Sequence, residues 1–417
     1  MKNEILEILK EKFLVKISFT LILFFPILLL LSSSFINVSI VLIDIFFLIN
    51  IYKEKKFKVF NNDIFYLLII FWAFLIINTL LNDNFEDNYS RGFGFIRFLL
   101  LIFSFSYFLS YQNFKFKKII FNFWTIIFFI FSIDLIFEFI FGFNTLGFKS
   151  EYIGRLSGFM GDELKIGHWY ICFSLIVVAT NLKNNNKFYF ILFLAIMVSL
   201  LIGERANFIR LFLAFGLLVI ILKKLNFKNL FFLIIGITLV FFIDSRSSNN
   251  SIFKQRFLGE FLGLVIKHDS MKELNNNNPY TPMYLNAYNI FKENKVLGIG
   301  LGSYWKKSHE KFRKTQKING YLILPNTHPH QHHFEILATL GLPGYLFFLL
   351  FFLYFFTKTI KFYIKKKDAI NLTSFLFVLV FWLPLLPTGS FFTTYGASIF
   401  WLNFSLMNLG NFKNINY

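Results

Sequence analysis

The chain has 417 residues, of which 56% are hydrophobic and 65 are phenylalanine, and its formal net charge is +19 at pH 7. A soluble domain averages about 45–50% apolar residues, so this composition excludes an ordinary soluble domain and indicates an integral membrane protein. A single cysteine, Cys172, excludes internal disulfides and a cysteine-based metal site.

Apolar runs recur along the whole chain, and each is close to the roughly 20 residues that cross a bilayer as a helix. The runs lack the alternation of barrel strands, so helices are the expected spanning form. The predicted fold class is all-α, a polytopic integral membrane protein with about 12 transmembrane helices. The predicted spans are 17–33, 35–51, 64–81, 95–111, 119–141, 166–182, 188–202, 206–222, 229–243, 336–357, 370–386 and 396–410.

Lysine and arginine are distributed unevenly over the segments between these spans. One side, with both termini, holds 22 of them, whereas the short loops of the other side hold only five, namely Arg91, Lys149, Arg155, Lys165 and Arg205. The positive-inside rule therefore predicts that both termini are cytoplasmic. The chain then divides into residues 1–244 with spans one to nine, a large outer loop of short helices at 245–332, and residues 333–417 with spans ten to twelve.

The large loop is basic, with 13 lysine and arginine residues against 5 acidic ones. This charge suggests an anionic partner such as a phosphate-bearing lipid, although a solvated face beside anionic headgroups is the simpler alternative. Within the loop, residues 282–291 predict a short amphipathic helix. Gly298, Gly300 and Gly302 predict turns with positive φ. No strand–helix unit surrounds these glycines, which argues against a nucleotide-binding loop.

Three arginines lie near the outer ends of predicted spans. Arg155 lies in the loop before the sixth span, Arg205 in a tight turn between spans seven and eight, and Arg210 about a turn and a half deeper. Arginine suits a phosphate site because its planar fork binds two oxygen atoms and keeps its charge. The alternative is contact with lipid headgroups or ion pairing, for example between Arg205 and Glu204.

Four histidines, His328, His330, His332 and His333, lie within six residues at the end of the large loop. Their spacing in a proline-containing loop does not match the usual ligand spacing of a metal site, so no metal is expected. They could also be structural residues at the membrane interface. The interpretation that we favour is that one of them is a general base, because imidazole titrates near neutral pH.

His330-Gln331 is followed by nine residues and then by Gly341-Leu342-Pro343-Gly344. This arrangement resembles the motif of the O-antigen ligase/polymerase superfamily, which are bacterial inner-membrane glycosyltransferases with a large periplasmic loop. Further elements of that family are similar, in the same order, to Arg155–Phe159, Arg205 and Ala287–Gly302. The resemblance covers roughly residues 140–355. The chain departs from the pattern at Glu204, where a small hydroxyl residue is common, and Gln331 replaces the commoner asparagine.

The resemblance implies a metal-independent, inverting glycosyltransferase that moves a glycan from undecaprenyl diphosphate to an acceptor sugar hydroxyl at the periplasmic face. The acceptor is lipid A–core for a ligase, which we favour, and a growing carrier-linked glycan for a polymerase. Membrane lipids are further partners, and neither a cofactor nor a nucleic acid is implied. The resemblance implies that His330 is the catalytic base, that Arg205, Arg210 and Arg155 bind the diphosphate, and that the supporting residues are Gln331, His328, Gly341 and Gly344.

A lipid-glycan transporter is the remote alternative from another functional class. It predicts charges deep within several spans, short loops and often symmetric halves. This chain has instead one dominant outer loop, and its informative polar residues lie near one face. These features favour the enzyme.

Overall fold

The computed structural model describes residues 12–82, 85–110, 115–152, 154–161, 165–224, 238, 278, 280–311, 316–318, 321–384 and 386–409. Before residue 225 the helices are α1 (Phe13–Leu23), α2 (Phe25–Leu31), α3 (Ser33–Glu54), α4 (Asp63–Leu80), α5 (Phe85–Gly94), α6 (Ile96–Ser110), α7 (Lys115–Phe141), α8 (Ile166–Thr180), α9 (Asn185–Ile202) and α10 (Arg205–Ile221), with 3₁₀ turns at Phe57–Phe60 and Gly158–Met160. After residue 277 come α11 (Thr281–Glu293), α12 (Tyr304–Lys311), β1 (Gln316–Ile318), β2 (Tyr321–Ile323), α13 (His332–Lys366), α14 (Ala369–Trp382) and α15 (Thr394–Asn408).

The predicted span 17–33 falls on α1 and α2, and every other predicted span coincides with one helix except 229–243, which lies outside the described residues apart from residue 238. Among the described helices, six are long and apolar enough to cross a membrane, or seven if α1 and α2, bent by 61°, form one span. The six lie at Ser33–Glu54 (α3), Asp63–Leu80 (α4), Tyr89–Ser110 (the end of α5 together with α6), Phe116–Phe141 (α7), Asn185–Ile202 (α9) and His332–Lys366 (α13). The helical membrane fold is therefore confirmed, and the predicted count of twelve is not.

Three short helices at the centre of the bundle explain much of this difference. Helices α8, α14 and α15 contain only 15, 14 and 15 residues, and nearly all of their side chains are buried. At 1.5 Å per residue such a helix is about 22 Å long, which is shorter than the roughly 30 Å hydrocarbon core. Helix α14 packs against α8, α10 and α15. Because these helices contact protein rather than lipid, their length need not match the bilayer.

The long helix α13 contains one break, at Gly341, where φ is 69° and ψ is −171°. The break separates a short first piece, His332–Leu340, from a longer second piece. The loop docks at this point, since the Leu342 N–H donates to the Lys295 carbonyl at 2.8 Å. A Cβ atom on Gly341 would overlap the Val296 carbonyl, so only glycine allows this approach of two backbones.

The described part of the large loop confirms two local predictions. The amphipathic helix expected at 282–291 is α11, which packs against α13. Gly298, Gly300 and Gly302 have φ values of 64°, 84° and 98°. The sequence does not predict the antiparallel β1–β2 hairpin, because three-residue strands are too short to show an alternating pattern. Residues 245–277, 279, 312–315 and 319–320 of the predicted loop lie outside the described residues.

Candidate active site

Segments that are far apart in sequence surround one cavity of about 600 Å³. They are the segment before α8, the turn between α9 and α10, the residues before α11, the loop before α13, and the segment between α14 and α15. All five belong to the side that the lysine and arginine distribution assigns to the outside. The cavity is lined by Arg155, Lys165, His168, Glu204–Asn207, Ile209, Asn278, Tyr280, His328, His330, residues 386–390, Thr393, Tyr395 and Gly396.

Five helices begin at this cavity, namely α8, α10, α11, α13 and α15. The N-terminus of a helix carries a partial positive charge and unpaired backbone N–H groups, both of which attract anions. The lining adds the cationic side chains of Arg155, Lys165 and Arg205, whereas Glu204 is the single acidic residue among the described lining residues. The arrangement therefore favours an anionic ligand.

The backbone around His330 is held in an uncommon conformation. Its φ is 55°, in the left-handed region that residues other than glycine adopt at some cost. The His330 carbonyl accepts a hydrogen bond from the Thr388 N–H at 2.7 Å. The next residue, Gln331, caps α13 by accepting from the Phe334 N–H at 3.1 Å. Conformations that the surroundings hold in this way are concentrated at functional sites.

The His330 ring lies among other rings and cations of the cavity. Its centroid is 4.0 Å from that of His328 and 5.9 Å from that of Tyr280. Burial, followed by the charge of Arg155, lowers the pKa of His330 below its usual value. Burial, followed by the charges of His330 and Lys165, lowers the pKa of His328 to about 3. Both imidazoles are therefore neutral at pH 7, and a neutral imidazole has a lone pair that accepts a proton.

The turn that carries Arg205 is fixed by its neighbour Glu204. The Glu204 carboxylate accepts hydrogen bonds from the Asn207 side-chain amide and from the Gly167 N–H, the latter at 3.3 Å. These contacts hold the first turn of α10 against the first turn of α8. The residue that departs from the family pattern thus joins two of the helix ends that border the cavity.

Arg210 is fully buried and is not part of the cavity lining. Its guanidinium donates to Asn207 Oδ1 at 3.0 Å, to the Leu386 carbonyl at 3.1 Å and to the Pro387 carbonyl at 2.6 Å. It also lies 4.8 Å from the centre of the Phe381 ring. This position does not support the prediction that Arg210 binds the diphosphate. The side chain instead positions the segment between α14 and α15, which lines the cavity.

Residues 190–349 match the family model described as O-antigen ligase. This match supports the O-antigen ligase/polymerase superfamily. The match extends from α9 into α13 and includes His330 and the glycine motif, while Arg155 lies outside it. A comparison with curated proteins finds no match. The predicted superfamily is confirmed, and the match does not distinguish a ligase from a polymerase.

The structure gives the spacing of the ligase-family motif a physical meaning. The nine residues between Gln331 and Gly341 form one helical piece, His332–Leu340, which is capped at its start and meets the docked loop at its end. Gly344 lies on the second piece, where a Cβ atom would overlap Leu340 and come within 3.1 Å of the Phe74 ring. Gln331, Gly341 and Gly344 therefore support the position of His330 without lining the cavity.

The other histidines near the ligase-family motif have protein partners. His332 is buried, with its ring 5.2 Å from that of Phe391. His333 contacts the Tyr345 hydroxyl at 3.1 Å and the Trp382 carbonyl at 2.8 Å. Within the described ranges, no three histidine, cysteine or acidic side chains are arranged to hold a metal ion. The structure thus separates His328 and His330, which line the cavity, from their two neighbours.

Several lining residues are absent from the sequence-based prediction, above all His168, Lys165, Tyr280 and the segment 386–396. His168 offered a signal, because a polar residue in the first turn of an apolar helix is costly unless it has a purpose. The segment 386–396 also offered one, since it is rich in glycine and hydroxyl residues between two apolar runs. Tyr280 offered none, because tyrosines are common throughout the loop.

Proposed function

We propose that this protein is a ligase of the O-antigen ligase/polymerase superfamily, which transfers a glycan from undecaprenyl diphosphate to a sugar hydroxyl of lipid A–core at the periplasmic face of the bacterial inner membrane. The observation that carries the proposal is the single cavity that His330, Arg155 and Arg205 line, although they come from three separate segments. A neutral imidazole and fixed cations are the two components that this transfer requires.

In the proposed reaction, His330 is the general base. A sugar hydroxyl is a weak nucleophile, so it needs a base within hydrogen-bond reach that accepts its proton as it attacks. The lowered pKa of His330 supports this role, because the ring is unprotonated at neutral pH. The cap formed by Gln331 and the hydrogen bond from Thr388 support it as well, because they restrict the backbone on both sides of the ring.

Arg155, Arg205 and the helix ends are proposed to stabilise the leaving group. As the bond between the anomeric carbon and the phosphate oxygen breaks, the lipid diphosphate gains negative charge, and preorganised cations and N–H groups favour that state. In the proposal these cations take the place of a metal ion, and the carrier is itself the activated donor. A single displacement by the acceptor hydroxyl inverts the anomeric centre.

The decisive experiment is transfer by the purified full-length protein in lipid nanodiscs, with a carrier-linked glycan as donor and lipid A–core as acceptor. His330→Ala and His330→Asn are expected to lose on the order of 10²–10⁴ in rate, because asparagine cannot act as a base. His309→Ala is the matched control, since His309 contacts the Trp305 carbonyl and is not a lining residue. Full activity of His330→Asn would remove the base assignment. The anomeric configuration of the product tests inversion.

The glycan profile of a deletion strain distinguishes the acceptors. If the protein is a ligase, its deletion leaves polymer attached to the carrier and absent from lipid A–core. This is the expected result. Single repeat units that remain unpolymerised would instead identify a polymerase. Transfer that a chelator abolishes and zinc restores would contradict the metal-independent mechanism.

The proposed sidedness rests on the distribution of charge and on the cavity. Five segments assigned to the outer side border the cavity, which supports one common orientation for them. A reporter fused at residue 270 is expected to report the periplasm, and fusions at residues 55 and 365 the cytoplasm. A cytoplasmic signal at residue 270 would overturn the periplasmic site.

A further inference from the structure

The orientation of the Asn207 side-chain amide is determined by its partners. Its Oδ1 accepts a hydrogen bond from Arg210 Nη1 at 3.0 Å, and its Nδ2 donates to the Glu204 carboxylate. A guanidinium only donates, so the amide oxygen must face Arg210. The third contact of Asn207 joins its Nδ2 to Nδ1 of His168 at 3.3 Å. In that contact Asn207 is the donor and the imidazole nitrogen is the acceptor.

This contact fixes the tautomer of His168. A nitrogen that accepts a hydrogen bond carries no proton, so the ring is neutral and its proton is on Nε2. Within the described residues, the Nε2 atom is buried and has no hydrogen-bond partner. It lies 3.9 Å from the position that a Cβ atom on Gly389 would take, and both residues line the cavity. The centroid of the His168 ring lies 5.2 Å from that of the Phe381 ring.

A buried N–H group without a partner costs free energy, and such groups are rare in native structures. A ligand oxygen in the cavity would satisfy this one. The cations Arg155, Lys165 and Arg205 line the same cavity, so the ligand group that they attract is anionic. The oxygen that reaches His168 is therefore expected to belong to a phosphate.

We propose that His168 is a further catalytic residue, which donates a hydrogen bond from Nε2 to an oxygen of the donor's diphosphate; this inference rests on the proposed function. In the step, the acceptor oxygen bonds to the anomeric carbon, and the bond from that carbon to the diphosphate oxygen breaks. The electron pair goes to the diphosphate, and the acceptor proton goes to His330. His168 keeps its proton, and its hydrogen bond strengthens as the diphosphate gains charge.

The kinetic test compares His168→Phe and His168→Gln in the nanodisc transfer assay. Phenylalanine keeps a ring against Phe381 but removes the N–H group, whereas glutamine retains an N–H donor. We expect His168→Phe to lower kcat about 10²-fold, as removal of one oxyanion donor does, with a smaller change in KM for the donor. His168→Gln is expected to recover part of this loss. A kcat for His168→Phe equal to the wild-type value would overturn the inference, provided that the variant has wild-type thermal stability.

A spectroscopic readout tests the tautomer without relying on activity. In full-length protein labelled with ¹⁵N-histidine, the signals that disappear in His168→Gln belong to His168. We expect a protonated Nε2 and an unprotonated Nδ1, which have distinct nitrogen shifts. A protonated Nδ1 would contradict the hydrogen-bond network, and this readout remains available if His168→Phe does not fold.

The failure of this inference can be distinguished from the failure of the proposed function. Farnesyl diphosphate serves as a soluble probe of the diphosphate site and is titrated into the wild type and into His168→Phe. If the wild type neither binds the probe nor transfers glycan, the proposed function is wrong and the His168 assignment fails with it. If the wild type does both and His168→Phe is indistinguishable from it, only the His168 assignment is wrong.

Discussion

Replacing Gly341 with alanine is expected to weaken the junction between α13 and the large loop. Its φ of 69° and ψ of −171° lie in a region that only glycine adopts readily, and strain of this kind costs about 1–3 kcal/mol. An added Cβ would also overlap the Val296 carbonyl oxygen and lie 2.8 Å from that of Lys295. The Lys295 carbonyl accepts a hydrogen bond from the Leu342 N–H, so it cannot move away without losing that hydrogen bond. The total cost should therefore exceed that of the backbone strain alone.

Two other glycines separate the contributions to this cost. Gly142 has a φ of 76°, and the described residues place no atom within 4 Å of its added Cβ, so Gly142→Ala measures the unfavourable conformation alone, about 1–2 kcal/mol. Gly216 lies inside α10, and again no atom in the described part of the chain comes within 4 Å of its added Cβ. Because glycine within a helix is about 0.5–1 kcal/mol less favourable than alanine, Gly216→Ala should be neutral or stabilising.

The assay is unfolding of the purified variants in mixed micelles with increasing dodecyl sulfate, followed by near-ultraviolet circular dichroism, with glycan transfer measured on the same preparations. The free energy of unfolding is expected to be lowest for Gly341→Ala, higher for Gly142→Ala, and highest for Gly216→Ala. A value for Gly341→Ala equal to that for Gly142→Ala would show that the contact with the loop contributes nothing. A wild-type value for Gly341→Ala would refute the reasoning altogether.

Three further predictions concern the cavity. Arg205→Ala should abolish transfer, and Arg205→Lys should recover little of it, because lysine keeps the charge but lacks the planar fork. A wild-type rate for Arg205→Lys would contradict paired contacts with phosphate. Glu335 accepts hydrogen bonds from the Ser390 hydroxyl and from the Phe391 N–H, the latter at 2.7 Å. Glu335→Ala should therefore lower the stability measured by thermal unfolding by about 1–3 kcal/mol, and Glu335→Gln should have an intermediate effect. Burial, with the charge of Arg155, lowers the pKa of His330, so the base stays unprotonated as the pH falls to the ordinary histidine value of about 6.5. The acid limb of kcat should therefore have its midpoint below 6.5, and a midpoint above it would contradict the assignment.

Features that depend on neighbours in the chain were predictable from the sequence. Apolar runs predict helices, a glycine followed by a polar residue between two runs predicts the turn before Arg205, and the alternating glycines predict positive φ at Gly298, Gly300 and Gly302. The motif around His330 was visible as a resemblance to the family, and its spacing equals the length of one short helical piece, residues 332–340. Each of these features is a local property of the backbone, set by a few consecutive residues.

The surroundings of the polar residues on apolar helices were decided only by the tertiary structure. Arg210 and His168 each lie near the start of an apolar helix, yet Arg210 donates to carbonyls at positions 386 and 387, whereas His168 lines the cavity. When a helix is apolar on all sides, its sequence has no periodicity that identifies the inward face, and its rotation is set by packing against other helices. The same limit applies to α8, α14 and α15, whose burial in the centre of the bundle cannot be distinguished from contact with lipid by hydropathy alone.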